Sequence, residues 1–193
     1  DCVVYSATKH IDGQGRCLGG VILASSEFIT THIHTLLRQT GPALSPFNAW
    51  VLLKALETLP LRVRRQMDSA AVIADRLAAH PAVRRLKFCG RKDHPQAAVI
   101  ARQMLAPSSL ITFEVGPTRA EAFAFLNRLA LIRISNNLGD AKSLACHPAT
   151  TTHQRFTPEV RAGMGVSETM VRLSVGLEHP DDLIRDLETA LGS

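Results

Sequence analysis

The sequence is poor in aromatic residues and lacks long apolar runs. Aromatic residues make up 5% of the 193 positions, with one Trp and one Tyr, although 46% of all residues are hydrophobic. Ala and Leu fill the apolar positions instead, which favours helix-rich α/β packing. The longest apolar runs, such as residues 20–24, fall far short of the roughly 20 residues that a membrane-spanning helix needs. This composition predicts a globular protein with one large or two small domains and no membrane contact.

The N-terminal residues lack the features of a leader segment. The chain begins without Met, inside the apolar run 2–5, and has no basic segment ahead of a longer apolar one. We therefore expect no secretory signal and a cytoplasmic location. We also expect the chain to be a piece of a longer protein.

The cysteines lack a pairing pattern. None of the four belongs to a Cys-x-x-Cys pair, and they are scattered along the chain: Cys2, Cys17, Cys89 and Cys146. Reduced thiols are expected rather than disulfides. Cys146, His147 and His153 could be taken for metal ligands, but neighbouring side chains on extended backbone point in opposite directions and no fourth ligand is evident. No metal site is predicted.

The basic residues lack interleaved aromatic ones. The net charge is +5, and the clearest basic groups are short: Arg62, Arg64 and Arg65; Arg84, Arg85 and Lys87; Arg91 and Lys92. Surfaces that bind single-stranded nucleic acid usually add aromatic side chains on which the bases stack. We therefore expect solvated faces rather than a nucleic-acid partner, together with a field that favours dianionic substrates.

Turn and capping residues divide the first third of the chain. Two short apolar segments flank a polar, Gly-rich stretch over residues 6–19 and predict strand, loop and strand. A helix is expected over residues 27–38. The next helix has Ser45 as N-cap and Pro46 at its first position, and we expect Pro60 to kink or break it.

Hydrophobic periodicity predicts alternating helices and strands after Pro60. Thr118 and Glu121 have the spacing of a capping box at a helix start. The predicted elements are a helix over 67–78, strands at 83–88, 110–115, 131–135 and 170–175, and helices that follow Thr118 and Pro180. The sequence therefore predicts two α/β pieces.

The segment from Ser6 to Arg16 carries the pattern most relevant to chemistry. A lysine just beyond a strand end, here Lys9, can form a Schiff base if its surroundings keep it partly neutral. The hydroxyls of Ser6 and Thr8 alternate along the extended chain beside it, where they could donate to a phosphate. The glycines that follow allow tight turns around a ligand. Taken alone, the same residues also fit an ordinary surface loop.

This segment resembles the Ser-x-Thr-Lys-(aromatic or His)-x-x-Gly signature of the pyridoxal-phosphate enzymes of Cys/Met metabolism. Five later segments resemble that family in the same order: 41–50, 56–62, 137–140, 146–153 and 171–178. The resemblance implies that Lys9 holds pyridoxal 5′-phosphate covalently and then moves protons as base and acid. It also implies that Ser6 and Thr8 bind the cofactor phosphate.

The resemblance further implies a substrate-binding group. Arg172 would bind the substrate α-carboxylate, for which a planar guanidinium is suited. The backbone around Asn137 and Leu138 would border the substrate. Many relatives have Ser where this chain has Asn137, so no hydroxyl role is assigned at that position.

The fold implied by the resemblance is fold type I, an α/β architecture. A large domain with a mainly parallel sheet is followed by a smaller α/β domain. Residues 1–58 would form the end of the large cofactor-binding domain, and residues 59–193 the small C-terminal domain. A homotetramer, built as a dimer of dimers, is implied for the full-length protein.

Two segments resemble the sulfhydrylase branch of the family, residues 10–16 and 137–142. They imply a γ-replacement in methionine biosynthesis, in which sulfide and O-succinyl-L-homoserine give L-homocysteine and succinate. Cystathionine γ-synthase and O-acetylhomoserine sulfhydrylase stay open as alternatives, as does a non-catalytic α/β binding module. The family places the carboxylate that pairs with the pyridine nitrogen upstream of the lysine, so we expect these 193 residues alone to be inactive.

Overall fold

The computed structural model describes residues 1–192. The backbone forms two compact units, one of them Asp1–Pro60 and the other beginning at Leu61. Helices and strands occur in both units, so the chain has the mixed α/β fold class that was expected. No helix of the described residues is long and apolar enough to cross a membrane.

The first unit opens with a strand pair. Strands β1 (Val3–Ser6) and β2 (Gly20–Leu23) pair antiparallel, with Ser6 opposite Gly20. The predicted order of strand, loop and strand is confirmed. The pairing is antiparallel, whereas the family resemblance implied a mainly parallel sheet for the large domain.

The first helical stretch begins close to its expected position, but its helix type changes along its length. After Ser25 the chain is helical through α1 (Ser26–Phe28), a π-helical segment (Ile29–His34) and α2 (Thr35–Thr40). Gly41 ends this stretch with a left-handed φ of 78°. The sequence indicated the helix, but not the wider π turns inside it.

The break near Pro60 differs from the prediction. Helix α3 (Pro46–Leu56) begins as expected, with the Ser45 hydroxyl accepting from the Asn48 N–H at 3.1 Å. It ends before Pro60, and helix α4 (Leu59–Ala78) already includes this proline in its first turn. Proline is tolerated there because the first N–H groups of a helix have no partner within the helix. The expected break at Pro60 is therefore wrong by a few residues.

A five-stranded sheet forms the centre of the second unit, in the order β3-β4-β7-β6-β5. Its strands are β3 (Val83–Lys87), β4 (Leu110–Val115), β5 (Arg133–Ile134), β6 (Leu144–Cys146) and β7 (Met170–Ser174). Neighbouring strands are antiparallel except β5 and β6, which are parallel. The sequence predicted four of these strands. The three-residue β6 was missed because it is too short to show an alternating pattern.

The remaining helices are α5 (Ala97–Gln103), α6 (Arg119–Arg128), α7 (Pro158–Gly163) and α8 (Pro180–Leu191). The capping box of α6 is present, with Thr118 and Glu121 bonded reciprocally. Helices α5 and α7 were not predicted. The core of this unit combines side chains of β4 and β7 with those of α4, α6 and α8, including Ile111, Phe113, Leu173, Ile73, Phe125 and Leu187.

A buried carboxylate joins α8 to the start of β5. The two oxygens of Asp186 accept from the backbone N–H groups of Ala130, Leu131 and Ile132, at 2.8, 3.1 and 2.9 Å. These three groups follow α6, where the chain turns toward the sheet. Asp186 is only 9% exposed, so little solvent competes for these bonds.

We expect Asp186→Ala to lower the free energy of unfolding by roughly 1.5–3 kcal/mol, because it leaves several N–H groups without a charged acceptor. Urea unfolding of the variant measures this loss. Asp182→Ala is the matched control, because Asp182 lies on the same helix, is largely exposed and pairs with the exposed Arg185. Its effect should stay below about 1 kcal/mol. Equal effects of the two substitutions would contradict the assigned role of Asp186.

Candidate functional site

Lys9 lies in a tight loop directly after β1. The Lys9 N–H donates to the Ser6 carbonyl at 3.1 Å, and the Lys9 carbonyl accepts from the Gly13 N–H at 2.7 Å. The Asp12 N–H donates to the carbonyl of the buried Ala7 at 2.8 Å. The backbone on both sides of Lys9 is therefore fixed by hydrogen bonds, while its side chain is half-buried.

A fully buried carboxylate closes this loop. Asp12 Oδ2 accepts from the Arg16 N–H at 2.6 Å and from the Cys17 N–H at 3.3 Å, and Oδ1 forms an ion pair with Arg16 Nε at 2.8 Å. Gly13 and Gly15 have φ of 65° and 66°, a left-handed conformation that favours glycine. The sequence pattern drew attention to the glycines, but it assigned no role to Asp12.

The two predicted phosphate-binding hydroxyls differ in their surroundings. Ser6 is exposed at the last position of β1. Thr8 Oγ1 accepts from the Gly19 N–H at 3.1 Å and donates to the Gly19 carbonyl at 3.4 Å. The Thr8 hydroxyl thus closes the loop, and it would have to release a long bond before donating its single proton to a phosphate.

These residues fit pyridoxal phosphate in the chemistry of their donors. A primary amine at Lys9 can bond to an aldehyde, and exposed hydroxyl and backbone donors next to it suit a phosphate. The chain after the loop also approaches helix α3 closely, since a Cβ at Gly19 would lie 2.7 Å from Leu52 Cδ1. The site residues Lys9, Ser6 and Thr8 all belong to the first unit.

The predicted carboxylate-binding residue, Arg172, lies in the second unit on the central strand β7. Its Nη2 donates to the Asn136 carbonyl at 2.8 Å and to the Asn137 carbonyl at 3.2 Å. Arg172 is half-buried, and the guanidinium keeps further N–H groups beyond the Nη2 donors. The structure thus brings Arg172 and Asn137 together, and the half-buried Leu138 follows directly.

Residues 136–143, which we call the Arg172-binding loop, connect β5 to β6. The Gly139 N–H donates to Ser174 Oγ at 2.9 Å, and the Ala141 carbonyl accepts from the Leu177 N–H at 2.8 Å. Ser143 bonds to the Glu178 carboxylate through its N–H and its hydroxyl, each at 2.8 Å. The strand that carries Arg172 and the residues after it therefore also hold the loop that contacts Arg172. None of these anchors was predicted.

Cys146 lies opposite Arg172 in the antiparallel pair of β6 and β7. The side chains of paired residues share one face of a sheet. Burial raises the pKa of the Cys146 thiol, and the nearby Arg172 guanidinium and Thr151 hydroxyl offset only part of this rise. The raised pKa favours the thiol over the nucleophilic thiolate.

The segment between β6 and β7 is held at its base by a buried histidine and an acidic residue. His147 Nδ1 lies 2.9 Å from Thr150 Oγ1, and Nε2 lies 2.9 Å from the Glu168 carbonyl. The Glu168 carboxylate accepts from Arg161 at 2.6 Å and from Arg119 at 2.7 Å, and chiefly the Arg161 bond lowers its pKa. Both ring nitrogens of His147 are thus engaged. No group of three or more possible metal-ligating side chains occurs within residues 1–192.

Comparisons with known proteins place these residues in a wider context. The model of a family described as Cys/Met metabolism PLP-dependent enzyme matches residues 1–192. An O-succinylhomoserine sulfhydrylase from Mycobacterium tuberculosis is 52% identical over 195 aligned positions, which cover 99% of this chain and 48% of the relative. An L-methionine gamma-lyase from Pseudomonas putida is 41% identical, over 99% of this chain and 48% of its own length.

A solved structure agrees with the backbone of the chain. A cystathione gamma lyase from Micromonospora echinospora superposes with a TM-score of 0.95 at 35% identity, covering 100% of this chain and 50% of that one. The chain thus spans about half the length of the relatives and the solved structure it matches.

Proposed function

Because the chain belongs to the Cys/Met metabolism PLP-dependent enzyme family, we propose that the complete protein replaces the γ-substituent of O-succinyl-L-homoserine with sulfide. The products would be L-homocysteine and succinate. The observation that carries this choice is the identity of 52% to a relative named O-succinylhomoserine sulfhydrylase, against 41% to one named L-methionine gamma-lyase.

Lys9 is the proposed catalytic residue. Pyridoxal phosphate, when bound, supplies an electron sink that makes the Cα proton of an amino acid removable. The Lys9 amine would hold the cofactor covalently and, once released by the substrate, take the proton from Cα and carry protons from and back to Cβ. The hydrogen bonds on both sides of Lys9 support this role, because they fix the point from which its flexible side chain extends.

Arg172 is the proposed site for the substrate α-carboxylate. Its contacts to the Asn136 and Asn137 carbonyls hold one edge of the guanidinium. A substrate carboxylate would bind the remaining N–H groups, because a guanidinium offers five donors in a planar fork. The carbonyl dipoles also favour the positive charge without neutralising it. Asn137 and Leu138 would border the substrate by their backbone.

The proposed exchange at Cγ is balanced. The Cγ–O bond of the succinyl ester breaks and succinate leaves with the bonding electrons, while sulfide forms the new C–S bond. Lys9 returns to Cα the proton that it removed. The proposal includes an oligomer, with a dimer of dimers as its form.

Elimination without replacement is a second candidate function, favoured by the 41% identity to the L-methionine gamma-lyase. Both reactions need the Cα proton removed and the γ-substituent expelled. They differ in whether a nucleophile then adds at Cγ. If no nucleophile adds, the carbon skeleton of the homoserine part would be released as 2-oxobutanoate, and its amino group as ammonia.

We expect Lys9→Ala in the complete protein to abolish turnover and covalent attachment of the cofactor, because no other amine occupies this loop position. Borohydride reduction followed by mass spectrometry measures the attachment, and equilibrium dialysis measures the free cofactor that still binds. Lys54→Ala is the control, since Lys54 is an exposed residue of the same unit paired with Glu57. Covalent attachment in the Lys9 variant, or rates close to those of the unchanged protein, would refute the assignment.

Arg172→Lys should weaken substrate binding by roughly 1.5–3 kcal/mol, the value of a hydrogen bond to a charged group. A lysine keeps the charge but lacks the planar fork that spans both the loop carbonyls and a carboxylate. Steady-state kinetics should show a higher KM, with cofactor attachment at Lys9 unchanged. Arg133→Lys, an exposed change on β5, is the control. If the variant instead lost its cofactor and kept its substrate affinity, the role assigned to Arg172 would be wrong.

The choice of nucleophile follows from the proposed reaction. With O-succinyl-L-homoserine as donor, we expect kcat/KM to be higher for sulfide than for cysteine in the complete protein. The same assay without any nucleophile should release little 2-oxobutanoate. A clear preference for cysteine would make the protein a cystathionine γ-synthase. Predominant 2-oxobutanoate in the presence of sulfide would favour the elimination reaction.

A further inference from the structure

A buried amide on helix α4 reaches the Arg172-binding loop. Gln66 is fully buried, and its Nε2 donates to the Asp140 carbonyl at 2.7 Å, across 74 residues of sequence. Asp140 lies three residues after Asn137, whose carbonyl accepts from Arg172. The contact therefore ties α4 to the loop that holds one edge of the guanidinium.

The anchor at Gln66 differs in origin from the others. Ser174, Leu177 and Glu178 hold the loop from β7 and the residues directly after it, the same stretch of chain that carries Arg172. Gln66 holds it from a separate helix that packs in the core of the unit. Two independent supports define the position of a loop better than one, because a shift that preserves one set of bonds breaks the other.

Burial of the Gln66 side chain lowers the stability of the unit unless its polar groups are bonded. This cost suggests that the hydrogen bond to Asp140 has a function beyond packing. Burial of an amide in an apolar environment costs free energy for each polar group that is left without a partner. In the part of the chain that the structure describes, Gln66 Oε1 has no hydrogen-bond partner, and neither has Ser69 Oγ one turn later on the same helix. A methionine would fill a similar volume without that cost. Only the bond to Asp140 offsets it.

We propose that Gln66 is a positioning residue for the substrate α-carboxylate. It acts through the Asp140 carbonyl on the loop whose Asn136 and Asn137 carbonyls orient Arg172, and it touches neither substrate nor cofactor. The proposal rests on the function proposed above for Arg172. A neutral amide suits this task, because it donates a hydrogen bond without adding a charge near the guanidinium.

The test compares two ligands that differ only in the α-carboxylate, L-homoserine and 3-aminopropan-1-ol, as competitive inhibitors of the complete protein. In Gln66→Met we expect the inhibition constant of L-homoserine to rise about 5- to 10-fold, the effect of one lost hydrogen bond. That of 3-aminopropan-1-ol should change less than twofold. The matched control is Ser69→Ala, a buried polar residue of the same helix face that does not bond to the loop.

A second variant helps to separate the loss of this hydrogen bond from a general loss of folding. Gln66→Leu also removes the donor, with an apolar side chain of different shape, so it should show the same selective loss. Thermal unfolding of the cofactor-free protein checks both variants. Equal changes for the two inhibitors, no change for either, the same result in Ser69→Ala, or unfolding of both variants would each overturn the positioning role.

Failure of this inference is distinct from failure of the proposed function. If the unchanged protein neither attaches cofactor at Lys9 nor turns over O-succinyl-L-homoserine, the proposed function fails first. If it does both and Gln66→Met behaves like Ser69→Ala, only the role of Gln66 is lost.

Discussion

The proposed carboxylate site in the second unit depends on how the Arg172 guanidinium is held. An arginine on a central strand next to an apolar core must keep its charge partly solvated or bonded. Here the carbonyls of Asn136 and Asn137 accept from one of its nitrogens, and that loop is in turn fixed by Ser174, Glu178 and Gln66. The result is an oriented cation whose remaining donors suit a carboxylate.

The contact between residue 137 and Arg172 does not depend on the side chain of residue 137. The contact to Arg172 uses the backbone carbonyl of Asn137, which any residue supplies. A substitution at this position would therefore leave that acceptor in place.

The loop that carries Lys9 in the first unit is also fixed by hydrogen bonds between polar groups. In a short loop many backbone N–H groups have no backbone partner, and here polar side chains accept from them. Asp12 accepts from the backbone N–H groups of Arg16 and Cys17, and the Thr8 hydroxyl accepts from that of Gly19. Buried backbone groups without partners are costly, so such side chains define one loop conformation. In both units the backbone next to the residue with the proposed chemistry is fixed by hydrogen bonds.

The sequence by itself determined what depends on near neighbours along the chain. The caps at Ser45 and Thr118 and the alternation in β4 are local signals, and each predicted its element correctly. The residues around Lys9 correctly predicted a loop between two strands. Only the tertiary structure decided the rest. The short strand β6 exists because it pairs with β5 and β7, and the π-helical turns after Phe28 carry no local signature. The bond between Gln66 and Asp140 joins residues 74 positions apart, a distance over which no periodicity or spacing rule acts.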